Sequence, residues 1–168
     1  LADLVNRVVQ RNGKLIIPAF SVGRTQNLLY YLHQLFAENR IPSVPVFVDS
    51  PLSVNATDIF RMHPECYDQA TADFVEIEGP VFTHSSIHYV KSLAESKALN
   101  KRRKPAIIIS ASGMCEAGRI LHHLKNTVTK PRNAVAIVGF MAENTLGRRL
   151  VERRPSVKIF GQMYPVRC

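Results

Sequence analysis

The chain has 168 residues, of which 46% are hydrophobic and 21% are charged. That composition is typical of one globular domain with a sizeable core and excludes a disordered chain. Lysine and arginine outnumber aspartate and glutamate by 22 to 13, a net charge of +9. This charge favours a polyanionic partner, nucleic acid before a membrane, over an inert basic surface.

Targeting signals and cysteine pairs are absent from the sequence. No apolar run is long enough to cross a bilayer, and the first residues do not resemble a signal peptide. The cysteines are Cys66, Cys115 and Cys168; they form no CxxC pair, so neither a zinc knuckle nor a disulfide framework is indicated. We therefore expect a reducing, cytoplasmic location. Because a helical pattern starts at Leu1 without a cap residue, we also expect a piece of a longer protein.

The first half of the chain alternates strand and helix patterns. Residues 14–20 predict a buried strand, and the helix that follows has its leucines on one face. Residues 44–51 predict a second strand. A helix is then expected from Ser53, as the cap residue, to Met62, where His63-Pro64 ends it.

The second half continues the alternation. Residues 74–77 predict a short strand, residues 85–100 a helix, and residues 101–104 a charged connector. The stretches "PAIIISAS", "NAVAIVGF" and "SVKIF" predict three more strands, with helices near residues 117–128 and 145–153 between them. Continuous Val and Ile runs in this order predict one α/β domain over residues 1–168. Its sheet is mostly parallel and flanked by helices on both faces, Rossmann-like but without the GxGxxG fingerprint.

Three strand-to-helix corners, at residues 19–27, 48–53 and 110–119, carry small and hydroxyl side chains. Each follows the carboxyl end of a predicted strand, and in a parallel sheet those ends share one edge. Helix N-termini there offer free N–H groups to an anion, and arginines such as Arg24 and Arg119 can add forked donors. Gly and Ser are also needed at such corners simply to turn the chain and to cap the helix. The residues alone therefore leave both interpretations open, anion binding and a purely structural corner.

The six histidines favour a non-metal interpretation. His122 and His123 are adjacent on a predicted helix and point in different directions, so at least one is solvated or packed at an edge. His84 and His88 have the i,i+4 spacing of a helical metal pair, but no HExxH glutamate and no third ligand accompany them.

Two further polar features have a structural and a functional interpretation. Asp49, at a strand end, suits a general base, a metal ligand or a residue that caps the turn, and with no partner carboxylate nearby the turn is favoured. Arg148, Arg149, Arg153 and Arg154 form a basic cluster, which is usually a solvated face. On a chain of charge +9 the cluster also suits a strip that contacts the RNA backbone.

Four stretches identify a family resemblance that runs nearly end to end. "GKLIIPAFSVGRTQNLLYYLHQL", "VPVFVDSPLS", "IIISASGMCEAGRILHHL" and "VAIVGFMAENTLGRRL" resemble the β-CASP domain, most closely its bacterial RNA-specific branch. That domain is the cap inserted into the metallo-β-lactamase core of RNA- and DNA-processing nucleases. The resemblance implies a Rossmann-like cap in a parent enzyme that hydrolyses RNA phosphodiester bonds with two zinc ions.

The metal-binding part of the family pattern is absent. The HxHxDH signature and the acidic motif precede the cap in the family, and the later histidine motifs follow the stretch that "GQMYPVR" resembles. The resemblance therefore implies no catalytic and no metal-binding residue in this chain, with zinc held by the core of the parent. We expect the fragment to be inactive alone, with RNA and that core as its partners, no membrane, and a homodimer left open.

The RNA-facing residues implied by the resemblance coincide with the strand-end corners. They are Ser21, Gly23, Arg24, Thr25, Ser50, Ser112, Gly113, Met114, Arg119 and, as a weaker candidate, Thr145. We expect Arg119→Ala in the full-length enzyme to weaken RNA affinity more than folding.

Two other functions stay open. The anion-ready corners also suit a stand-alone module that binds a phospho-ligand or nucleotide, although Walker and GxGxxG patterns are missing. An isolated cap that exposes an apolar patch would instead be an interaction surface.

Overall fold

The computed structural model describes residues 1–168 and has seven strands. They are β1 (Lys14–Pro18), β2 (Val46–Val48), β3 (Ile87–Tyr89), β4 (Ala106–Ser110), β5 (Ala134–Val135), β6 (Ser156–Ile159) and β7 (Gln162–Pro165). The first five form a parallel sheet in the order β3-β2-β4-β1-β5. Strands β6 and β7 form a separate antiparallel hairpin. The predicted α/β fold with a parallel sheet is confirmed.

Seven α-helices surround the sheet. They are α1 (Ala2–Gln10), α2 (Arg24–Ala37), α3 (Pro51–Met62), α4 (Gln69–Glu78), α5 (Leu93–Lys101), α6 (Arg119–Thr127) and α7 (Leu146–Val151). One 3-10 turn, Pro64–Cys66, lies between α3 and α4. No helix has both the length and the apolar character needed to cross a membrane.

Apolar residues of the central strands pack on both faces of the sheet. In β1, Leu15 and Ile17 belong to a cluster with α1, α2 and α3, whereas Ile16 belongs to a cluster with α5, α6, α7 and the hairpin. The alternation follows from the two-residue period of a strand. It explains why β1 and β4 need continuous runs of Ile and Leu, as strands covered on both faces do.

Two sequence predictions for the middle of the chain are wrong. Residues 74–77 lie in α4, which Asp68 caps by accepting a hydrogen bond from the Thr71 amide at 2.9 Å. The helix predicted over residues 85–100 begins only at Leu93, because Ile87–Tyr89 pairs with β2 as an edge strand. A capping box between Ser92 and Glu95 sets that helix start. His84 and His88 therefore do not share a helix.

The start of one helix and the sheet to which one strand belongs also differ from the prediction. Ser50, not Ser53, caps α3, and Pro51 occupies the first helical turn, where its missing N–H is not needed. The "SVKIF" strand is β6, and it lies in the hairpin and not in the parallel sheet.

The parallel strands divide the surface into two edges. We call the edge where the five parallel strands end the carboxyl edge, and the opposite edge, where they begin, the amino edge. All three corners that the sequence singled out follow strand ends, so they lie along the carboxyl edge.

Candidate nucleic-acid interface

The three corners contact one another at the carboxyl edge. The hydroxyl oxygens of Ser21 and Ser50 lie 3.2 Å apart, which joins the corners after β1 and β2. An open groove of about 430 Å³ runs between these corners and the turn after β4. Four residues of the predicted set line it, Ser21, Ser50, Ser112 and Arg119.

Helix N-termini at this edge are of two kinds. Gly23 and Gly118 precede α2 and α6 with φ of 79° and 84°, and neither helix has a side-chain cap. In contrast, Ser50 caps α3 and Thr145 caps α7 through their hydroxyl groups. The amides of α2 and α6 are nevertheless only partly free for an external anion, because the Arg24 amide donates to the Val22 carbonyl at 3.1 Å and the Ile120 amide to the Ala111 carbonyl at 3.2 Å.

The turn after β4 is held mainly by its own hydrogen bonds. Ser112 Oγ accepts from the amides of Glu116 at 3.1 Å and Ala117 at 3.2 Å. The Met114 carbonyl accepts from the Gly147 amide at 3.1 Å, which ties the turn to α7. The turn is therefore ordered before any ligand arrives.

Gly113 brings the corners after β1 and β4 together. A Cβ built on Gly113 would lie 2.8 Å from the ring of Phe20 and 3.0 Å from the Phe20 backbone nitrogen. Any larger residue would separate the two corners, so the glycine is a packing requirement at this contact.

The two residues that follow Gly23 have different surroundings. Thr25 is fully buried, and its hydroxyl donates to the Phe20 carbonyl at 2.8 Å. Arg24 is exposed and takes part in none of the seven ion pairs of the chain. Of these two predicted residues, only Arg24 presents its side chain to a ligand.

Arg119 belongs to a buried network and is not a free cation. Its Nη1 donates to Asp49 Oδ1 at 2.7 Å and to the Val90 carbonyl at 3.3 Å, and its Nη2 donates to the Lys91 carbonyl at 3.1 Å. Its side chain is 19% exposed, whereas that of Asp49 is 0% exposed. Arg119 thus lines the groove while its charge is largely neutralised by Asp49.

Asp49 anchors this network through its second oxygen as well. Oδ2 accepts from the Ser96 hydroxyl and from His123 Nε2, each at 2.6 Å. His123 is fully buried, and its Nδ1 lies 3.0 Å from the side-chain oxygen of Asn100. The turn role favoured for Asp49 is therefore wrong, because its carboxylate joins α5 and α6 to the end of β2.

The pKa of the Asp49 carboxyl is held below its ordinary value of 3.8. Burial alone would raise it, but hydrogen bonds from His123, Ser96 and Arg119 outweigh that effect. Asp49 is thus a carboxylate at neutral pH, which suits a structural anion and not a general base.

Two aromatic residues that the sequence analysis missed line a second groove beside the first. Phe20 and Phe140 are 52% and 75% exposed. With Arg24, Gly113 and others they enclose about 270 Å³ at the ends of β1 and β5. Both phenylalanines stand at the ends of the strands predicted from sequence, residues 14–20 and 133–140, and this position was the sequence signal for the feature.

Metal-ligating side chains do not converge anywhere in the chain. No group of three or more His, Cys, Asp or Glu residues is arranged to hold a metal ion. His122 is exposed and lies beside Phe160, with ring centroids 4.7 Å apart, while His123 is directed to Asp49.

The arginine cluster of the last helix is partly neutralised. Glu152 accepts from Arg148 and from Arg154, each at 3.0 Å. Arg149 is exposed and donates to the Asn144 carbonyl at 3.4 Å. Glu152 therefore compensates only part of the charge of the four arginines, on a face that is largely solvated.

Comparisons with known proteins agree with this architecture. Residues 25–150 match the Beta-Casp domain family. The chain is 33% identical over 167 residues to a ribonuclease of Thermus thermophilus and 30% identical over 167 residues to an RNase J-like protein of Methanocaldococcus jannaschii. It is 29% identical over 163 residues to the transcription termination factor FttA of Methanosarcina mazei. These alignments include 99%, 99% and 96% of this chain, which spans 38%, 38% and 25% of the respective relatives.

Proposed function

We propose, from the premise that this chain belongs to the β-CASP domain family, that it is the RNA-binding cap of a ribonuclease that cleaves RNA phosphodiester bonds. The observation that carries the proposal is the pair of adjoining grooves at the carboxyl edge, one lined by Gly118 and Arg119 and the other by Arg24 with the exposed rings of Phe20 and Phe140. The relatives named as ribonucleases support RNA as the ligand.

The second groove offers separate partners for the phosphate and the base of a nucleotide. The exposed Arg24 guanidinium suits phosphate oxygens. The exposed rings of Phe20 and Phe140 suit unpaired bases, which stack on aromatic side chains. The arrangement therefore favours single-stranded RNA over a duplex.

Zinc is assigned by this proposal to another part of the parent protein. The donor set of the chain does not fit a zinc site, because no three metal-ligating side chains converge. The metallo-β-lactamase core of the parent would hold the metal, and the chain described here would supply RNA binding without cleavage. The bacterial RNA-specific branch and a cytoplasmic location stay part of the proposal, and a homodimer stays open.

A cleavage assay and a binding assay test the two parts of this function. Purified chain with added zinc should leave RNA intact; specific cleavage that follows the protein through purification would show that catalysis resides here. Arg24→Glu should weaken binding of a single-stranded oligoribonucleotide, with Lys158→Glu as the control for charge. If both variants bind the oligoribonucleotide equally well, the groove lined by Arg24 is not an RNA-binding site.

A stand-alone nucleotide-binding module is the second candidate. The groove of about 430 Å³ is within the range of roughly 300–1,000 Å³ that small-molecule sites occupy. Titrations with single-stranded RNA and with mononucleotides at several salt concentrations separate the two functions. The logarithm of the RNA association constant falls with the logarithm of salt concentration, with a slope of about 0.7 per phosphate engaged. Tight mononucleotide binding with little salt dependence would favour the module.

A further inference from the structure

The positive charge of the chain is concentrated away from the groove. The connections that enter β1, β4 and β5, residues 11–14, 101–105 and 129–133, hold eight Lys and Arg and no Asp or Glu. The connections that leave the sheet at the carboxyl edge hold three cations and three acids, namely Arg24, Lys91, Arg119, Asp49, Glu116 and Glu143. The edge with the anion-ready corners therefore carries almost none of the net charge of +9.

The three basic connections form one surface at the amino edge. Strands β4 and β5 flank β1 in parallel, with Lys14 opposite Ala106 and Leu15 opposite Ala134. Lys14 Nζ donates to the carbonyls of Leu99 at 2.6 Å and Asn100 at 3.2 Å, just before residues 101–104. Its backbone amide donates to Asn133 Oδ1 at 2.9 Å. The starts of all three strands are thus joined around Lys14.

The electrostatic surroundings of Lys14 show that no carboxylate compensates this surface. Burial, followed by the charges of Lys130, Arg132 and Arg102, lowers the pKa of Lys14 to about 8. None of these cations takes part in an ion pair. A positive surface that has no counter-charges of its own attracts a partner that carries many negative charges.

We propose that the amino edge is a second RNA-binding surface, which contacts the phosphate backbone without reading sequence. This inference rests on the proposed RNA-binding function and extends it to the opposite end of the strands. A charged surface without aromatic platforms contacts phosphates and not bases.

The chemistry of the surface favours RNA over an acidic protein. None of the exposed large hydrophobic residues of the chain lies in the three connections. Protein interfaces have an apolar, aromatic-rich centre, whereas nucleic-acid interfaces are polar and strongly positive.

A paired set of charge variants tests this surface. Arg103→Ala with Lys104→Ala removes two exposed cations of the amino edge; Arg102 is kept because its guanidinium packs over the Phe47 ring at 5.4 Å. Lys97→Ala with Lys158→Ala removes two exposed cations outside both edges and serves as the control. Binding of an unstructured single-stranded oligoribonucleotide is measured by fluorescence anisotropy across a range of KCl concentrations.

The amino-edge variant should lower RNA affinity and reduce the log–log salt slope by about 1.4, at about 0.7 per lost phosphate contact. The control should keep the wild-type slope. Equal slopes in the two variants, no binding by the wild-type chain at low salt, or competition by polyglutamate as strong as by RNA would each overturn the proposal. If Arg24→Glu weakens binding while the amino-edge variant does not, the proposed function stands and only this second surface is lost.

Discussion

Arg119 and Asp49 are 70 positions apart in the sequence, yet Nη1 of Arg119 lies 2.7 Å from Oδ1 of Asp49. The contact joins the start of α6 to the end of β2 beneath the groove. It makes Arg119 a positioning residue of the groove wall, and it changes what a substitution there should do.

Arg119→Ala should destabilise the fold by about 3–5 kcal/mol, because it leaves the buried Asp49 carboxylate without its cation. Urea unfolding measures the loss. Arg149→Ala, at an exposed position on α7, is the matched control and should stay within about 0.5 kcal/mol of wild type. If Arg119→Ala instead kept its stability and lost RNA affinity, the expectation from the sequence would be restored.

Acid should weaken the same network. Because the pKa of Asp49 is lowered in the folded state, its contribution to stability is complete above the ordinary pKa of 3.8 and is lost as pH falls through the folded-state value. Unfolding free energies measured from neutral pH down to about pH 2 should therefore fall more steeply for wild type than for Asp49→Asn. Asp73→Asn, on exposed α4, is the control. Identical acid profiles for wild type and Asp49→Asn would contradict this account.

Gly113→Ala should cost about 1–3 kcal/mol of stability, since the new methyl group would overlap the Phe20 ring and backbone. Gly139→Ala is the comparison, because nothing lies within 4 Å of a Cβ built at that position. Thermal unfolding of both variants decides the point. Similar melting temperatures for the two variants would mean that the corners after β1 and β4 can move apart at no cost in stability.

Phe140→Ala should weaken binding of single-stranded RNA by about 1–3 kcal/mol, the range for one base stacked on an aromatic ring. The free energy of unfolding of this variant should hardly change, because the Phe140 side chain is 75% exposed. Met62→Ala, at a position 73% exposed on α3, controls for the loss of surface apolar area. RNA affinity unchanged in Phe140→Ala would remove the stacking role from the second groove.

Cys115 should resist alkylation in the native chain. Burial, followed by the nearby Glu116 charge, raises the pKa of its thiol to about 12, so little thiolate forms at neutral pH. Cys66 is exposed and should be modified first by iodoacetamide. Peptide mass analysis after a short reaction distinguishes the two, and early modification of Cys115 would show that the turn after β4 opens readily.

The sequence by itself determined the alternation of elements and the edge where the corners lie. Continuous Ile and Leu runs in β1 and β4 are specific to strands covered on both faces, so the sheet followed from local pattern. Three predicted strand ends followed by small and hydroxyl residues also placed Ser21, Ser50 and Ser112 at one edge before any coordinates.

Only the tertiary structure decided the pairing of short elements and the use of polar groups. Strand β3 has three residues, too few for a period to separate strand from helix, and its state depends on pairing with β2. The partners of Asp49 come from α5 and α6, at separations that no local pattern encodes. The contrast between a nearly neutral carboxyl edge and a basic amino edge likewise arises only when distant connections meet, because charge adds in space and not along the chain.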